Sequence, residues 1–197
     1  FTLASGTLAQ HAIIDGVKQG VKMDEIPLGK FVTGIYAGGS NPASISQQTG
    51  GATDGTRMAQ KCIAMTRSVV TDTFTSFNWV PKKSWNAAST ITLRLRMNAT
   101  ATGNMVHNTW ATAFSNGDSF AIALGTPTQQ ITTFAATSTF VDQDYVITIA
   151  NTPAKGDIVT VQISRAGATA TVSDTTVSAT NIMAAWIIYT IDAADDS

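Results

Sequence analysis

Two histidines, one cysteine and a single glutamate are nearly all this chain of 197 residues offers for acid–base or metal chemistry beyond its aspartates and lysines. His11 and His107 stand far apart, and Cys62 has no partner for a zinc-type spacing. Asp142 and Asp144 in "VDQDY" could share a calcium ion. The twelve-residue loop with its closing Glu is absent, however, and a polar turn between strands is the more ordinary reading. Serines are plentiful, but none sits in a Gly-x-Ser-x-Gly elbow, and His107 is the one candidate base near them. "GGATDGT" has the glycines of a phosphate cradle without its Lys-Ser/Thr end. Paired carboxylates of the glycoside-hydrolase kind are equally scarce. No catalytic residue, metal ligand or cofactor site is assigned, and the chain is expected not to be an enzyme.

Binding chemistry has a better candidate in "WVPKKSWNAASTITLRLRM", Trp79 to Met97. Two tryptophans bracket Pro-Lys-Lys, and a strict two-residue alternation follows. Exposed, Trp79, Trp85 or Trp110 could stack on a sugar ring. Alternatively the stretch leads into a strand. "FTSFNWV" then points Phe77 and Trp79 inward, Pro81 stops the strand because it has no ladder N–H, Lys82 and Lys83 stay in the connection, and Trp85 covers the core edge. Arg94 and Arg96 share the outer face of the strand that follows, either in solvent or paired with an acidic neighbour.

The elements that would position these residues are strands. Ile91, Leu93, Leu95 and Met97 alternate with polar residues, as do Phe120, Ile122 and Leu124, then Tyr145, Ile147 and Ile149, then Val159, Val161 and Ile163. "NIMAAWIIYTI" is apolar on both faces and fits a central strand covered on both sides. Turn signals lie between: "ATGN", "NGD", "NTPAKGD" and "AGA". The predicted fold is all-β, an antiparallel β-sandwich, jelly-roll-like, over residues 57–197 with a short acidic C-terminal tail. Residues 1–56 keep no period and end in a Gly/Ser/Asn-rich linker, so they read as an extended N-terminal arm, with a brief helix around Leu8 to Val17. Cys62 reads as a small buried hydrophobe.

Charged residues make up 13% of the chain and the net charge is -1, which leaves no electrostatic footprint for nucleic acid. No apolar run reaches the roughly 20 residues of a membrane helix, so neither nucleic acid nor membrane is an expected partner. The segment from Phe1 lacks the charged and apolar blocks of a secretory signal.

The order of motifs carries a resemblance. "GATDGT" at Gly51 to Thr56, "PKKSW" at Pro81 to Trp85 and "NTPAKGDIVTVQISR" at Asn151 to Arg165 resemble, in sequence and succession, a family of tailed-bacteriophage and prophage virion proteins. Its members share "NGA-x-x-GT", "P-K-S-W" and a late "GTP-A-x-GD" hairpin ending in Arg. The likeness covers roughly residues 50–191; the extra Lys in "PKKSW" departs from it. It implies a structural protein at the particle surface, such as a capsid-decorating or head-fibre component, with other virion proteins as partners. A homo-oligomer is expected, with a trimer as the first guess. The arm would anchor it, with Phe31 and Tyr36 in the arm and Arg94 and Arg96 on the head as expected interface residues. Removing residues 1–50 should then leave a folded head that no longer joins the particle. The alternative is a receptor- or glycan-binding module of a tail appendage, taking a host-surface glycan.

Overall fold

A computed structural model describes residues 13–14, 17–18, 20–32, 41–48, 60–66, 72–119, 121–166, 174–176 and 178–192. In chain order the strands are β1 (Ile13–Ile14), β2 (Val17–Lys18), β3 (Gly20–Ile26), β4 (Asn41–Pro42), β5 (Ser44–Gln48), β6 (Gln60–Met65) and β7 (Thr73–Trp79). They continue with β8 (Ile91–Ala99), β9 (Gly103–Phe114), β10 (Thr128–Phe134), β11 (Val141–Ile147), β12 (Ile149–Ala150), β13 (Ile158–Arg165) and β14 (Thr180–Ile191). A 3₁₀ turn, Leu28–Lys30, follows β3.

One six-stranded sheet runs β10-β9-β13-β7-β4, with β12 also beside β9. The other runs β11-β8-β14-β6-β5, with β3 also on β14. Neighbours are antiparallel except β4 on β7 and β12 on β9. The two sheets pack face to face as a β-sandwich whose single core draws on both. Alternation explains which side chains meet there, because successive Cβ atoms point to opposite faces. β8 sends Ile91, Leu93, Leu95 and Met97 inward, opposite Val159, Val161 and Ile163 of β13 in the other sheet. Burying each such side chain stabilises by roughly 1.5–3 kcal/mol.

Several expectations change. The boundary at residue 56 does not coincide with a break in the sheets: β3 pairs with β14 from Gly20 to Ile26, β5 pairs with β6, and β4 with β7. Short strands without an amphipathic period of their own still pair, because neighbours supply the partner ladder. Of the helix expected from Leu8 to Val17, the described residues form a small hairpin instead, with Ile14 opposite Val17; residues 1–12 lie outside the described residues. "SFAIALG" alternates in burial from Ala121 to Leu124 but joins no ladder, and ends at Gly125 with φ +78°. Its extension is held instead by contacts such as Thr112 Oγ1 donating to the Leu124 carbonyl. "DYVITIA" serves both sheets. β11 pairs with β8, and after Thr148 the chain crosses to pair β12 with β9. β14 is central, flanked by β8 and by β6 and β3, yet Trp186, Ile188 and Thr190 on its outer face are only half-buried. The acidic tail beyond Asp192 lies outside the described residues.

Candidate functional site

The outer face of the second sheet gathers side chains of mixed chemistry. Its register sets Met23, Ile188, Thr92 and Val146 in one row, and Glu25, Trp186, Arg94 and Asp144 in the next. A third row holds Ala184, Arg96 and Asp142. Asp142 and Asp144 are therefore strand residues rather than a turn, two apart on one face, as Arg94 and Arg96 are on β8. Each arginine donates from Nε and Nη2 to both oxygens of its aspartate at 2.7 Å. These hydrogen bonds hold the Arg94 and Arg96 guanidinium pKa values above their ordinary range. Arg96 in turn holds the Asp142 carboxyl below its ordinary value. The Arg96 guanidinium also lies over the Trp186 ring, 5.5 Å from its centroid.

Pairs this exposed add little to folding stability. Their effect is geometric: bidentate forks fix four charged side chains in a two-rung ladder. Beside the ladder lies a mostly apolar row in which Met23 and Val146 are 56% and 55% exposed, with half-buried Ile188 and Thr92 between them, and half-buried Trp186 adjoins it from the ladder's own row. Contiguous apolar surface rimmed by fixed polar groups is the usual make-up of a protein-binding face.

The other expected interface residues fall elsewhere. Phe31 is in the core, 5.0 Å from Phe77 ring to ring, because after the 3₁₀ turn the chain passes from β3 to the other sheet, where Val32 bridges Ser76 of β7. It is not a surface contact. Tyr36 lies outside the described residues. Trp79 and Trp85 are buried in an aromatic cluster with Tyr189, and Trp79 Nε1 donates to Asp24 Oδ2 at 3.0 Å. The "WVPKKSW" stretch is thus a lead-in to β8, with Lys82 and Lys83 exposed. Trp110 is half-buried on the outer face of the first sheet, in register with Gln162 and two residues from Asn108, which accepts from Gln129 Nε2 at 3.0 Å.

His107 points into the core, where its Nδ1 lies 2.7 Å from the Tyr145 hydroxyl. Burial, with a smaller push from the Arg165 charge, lowers its pKa to about 3. Burial raises the Tyr145 phenol. A neutral imidazole sealed from solvent holds structure and is out of a substrate's reach. Cys62 is fully buried, with its thiol pKa pushed up by burial.

Sequence reasoning missed the pair Arg165 and Asp174, both buried and joined at 2.9 Å. The signal was available: Arg165 continues the inward set Val159, Val161 and Ile163, so a guanidinium there requires a buried counter-charge. Among the described residues no three His, Cys, Asp or Glu side chains gather as a metal set, and no helix is long and apolar enough to cross a membrane.

No protein-family profile matches the chain, and no curated protein matches it. Among solved structures, one that aligns is the family 11 carbohydrate-binding module from Clostridium thermocellum, in complex with a β-1,3-1,4-mixed-linked tetrasaccharide. It aligns at a TM-score of 0.39 and 10% identity, over 90% of this chain and 98% of the module.

Proposed function

We propose that this chain is a structural protein of a tailed-phage or prophage particle, exposed at the particle surface, that docks on neighbouring virion subunits through the outer face of its second sheet. The observation that carries this reading is the fixed ladder Arg94–Asp144 and Arg96–Asp142 set beside the apolar band of Met23, Trp186, Ile188 and Val146. A face built for solvent alone has no use for that band, and a face built to hold a small molecule would be concave. The motif order from Gly51 to Arg165 supports the virion setting. The test is immunogold labelling of particles purified from the strain that encodes the chain. Labelled particles at regular positions support the reading; signal confined to the soluble lysate overturns it.

A second reading, capture of a host-surface glycan, is favoured by the half-buried Trp110 among the amides of Asn108, Gln129 and Gln162. A ring face flanked by neutral donors and acceptors suits a sugar. A glycan array probed with the wild-type chain and with Trp110→Ala tests it. Binding that disappears in the variant supports it, and a blank array removes it.

A further inference from the structure

Among the described residues, the second sheet has an open lane beside β3. On the side of β14 away from β8, β6 covers Thr180–Ile182 and β3 covers Ala185–Ile191. Beyond β6 lies β5, but beyond β3 no described strand pairs. The free edge of β3 also exposes apolar side chains, with Val21 at 70% and Met23 at 56%. An unpaired edge of this kind is a template for another strand.

We infer that the lane is filled by β3 of a second copy of this chain, antiparallel across a two-fold axis at Met23, so that one continuous sheet runs through two sandwiches. The sequence of β3, "GVKMDEI", is self-complementary in that register. Met23 meets Met23, Lys22 meets Asp24, Val21 meets Glu25, and Gly20 leaves room for Ile26. Lys22 and Asp24 lie on the inward face, and Val21, Met23 and Glu25 on the outward one. A two-fold pair of edge strands keeps both outward faces on one side, so the register moves only in steps that conserve face. One such step either way sets Lys22 against Lys22 or Asp24 against Asp24, and like charges directly opposite are destabilising. Charge therefore selects the register centred on Met23.

Both charged groups are already anchored within the sheet: Lys22 Nζ donates to Ser84 Oγ at 3.4 Å, and the Asp24 carboxylate accepts from Trp79 Nε1 at 3.0 Å and the Tyr189 hydroxyl at 3.4 Å, which fixes the charges that set the register. Beneath the edge, between β3 and the end of β7, a recess of about 370 Å³ includes Asp24, Lys30, Trp79 and Lys82 in its lining. It gives the second copy's inward side chains somewhere to go. On the outside, Met23 is in register with Ile188, so the pairing joins the apolar bands of two copies into one. It uses the edge of the sheet, and it stands whether or not the chain belongs to a particle.

The test uses the full chain. Light scattering after gel filtration should give a dimeric mass, and Met23→Lys, which sets two ammonium groups at the axis, should give a monomer with unchanged circular dichroism. Cβ atoms directly opposite across an antiparallel pair are about 4.5–5.5 Å apart, close to what a disulfide spans. Met23→Cys should therefore oxidise to a covalent dimer at least about tenfold more than Val21→Cys, whose two copies lie four residue positions apart along the pair. A monomeric or trimeric wild type, equal cross-linking of the two cysteine variants, or a Met23→Lys protein that stays dimeric overturns the inference.

Discussion

Arg165 donates from Nε and Nη2 to the two carboxylate oxygens of Asp174, each at 2.9 Å, with both side chains almost wholly sealed from solvent. Its remaining donors are also used: Nη1 reaches the carbonyls of Met65 and Ser178, and Nη2 that of Thr176. One guanidinium thus ties the end of β13 to β6 and to the segment leading into β14, and all five of its N–H groups are satisfied. Asp174→Ala leaves that cation buried without a counter-charge, a change that typically costs about 3–5 kcal/mol. Urea unfolding followed by tryptophan fluorescence should show the midpoint fall accordingly, and a midpoint within error of wild type would contradict the pairing. Arg165→Lys should also destabilise, since an ammonium supplies three donors where five are used.

The His107 imidazole gives stability a pH dependence above the range of ordinary carboxylates. Its folded pKa of about 3 lies below the ordinary imidazole value of 6.5. Between those values the unfolded chain binds a proton that the folded chain does not, so unfolding becomes easier as pH falls. The contribution is complete above pH 6.5 and is lost progressively down to about 3. Thermal melts between pH 7 and 4.5 should show a falling Tm in the wild type and a flatter profile in His107→Gln. Parallel profiles for the two proteins would rule out this origin.

Much of the fold was legible because the two-residue period survives wherever one face is buried, as in β8 and β13. What the period could not report is whether an extended segment finds a ladder. Ala121 to Leu124 alternates and stays unpaired, whereas Gly20 to Ile26 looked irregular and forms a seven-residue strand on β14. The irregularity of β3 has a cause: Lys22 and Asp24 point inward, where Ser84, Trp79 and Tyr189 satisfy them. Inward charge hides a strand from any hydrophobicity pattern. At the candidate site, the shared face of Arg94 and Arg96 could be read from their spacing. Their aspartate partners lie 50 and 46 residues away, a separation that local pattern cannot bridge. Trp186 was hidden in a run that looked apolar on both faces.

The ladder allows docking to be separated from folding. Arg96→Ala removes the fork to Asp142 and the cation over Trp186, but Arg96 is exposed, so the urea midpoint should move little. Incorporation into particles should fall sharply in Arg96→Glu, where two like charges replace the rung. Western blots of gradient-purified particles provide the measurement. Normal incorporation of the charge-reversed protein would show that neighbours dock elsewhere.

Truncation separates an arm from a built-in edge. If residues before Gly50 only reach outward, their removal leaves the head intact. In the structure, removal through Phe31 strips the core of Ile26 and Phe31, two side chains worth roughly 1.5–3 kcal/mol each. It also deletes the Asp24 acceptor from Trp79 Nε1 and the whole β3–β14 ladder. The sum is on the order of a small domain's entire stability of about 5–15 kcal/mol. A chain beginning at Val32 should therefore melt far below wild type, with red-shifted fluorescence as Trp79 and Trp85 meet water, whereas one beginning at Gly20 should stay folded. Equal melting of the two truncated chains would return β3 to the status of an appendage. Collapse of the longer deletion alone places it in the sandwich as a working edge strand.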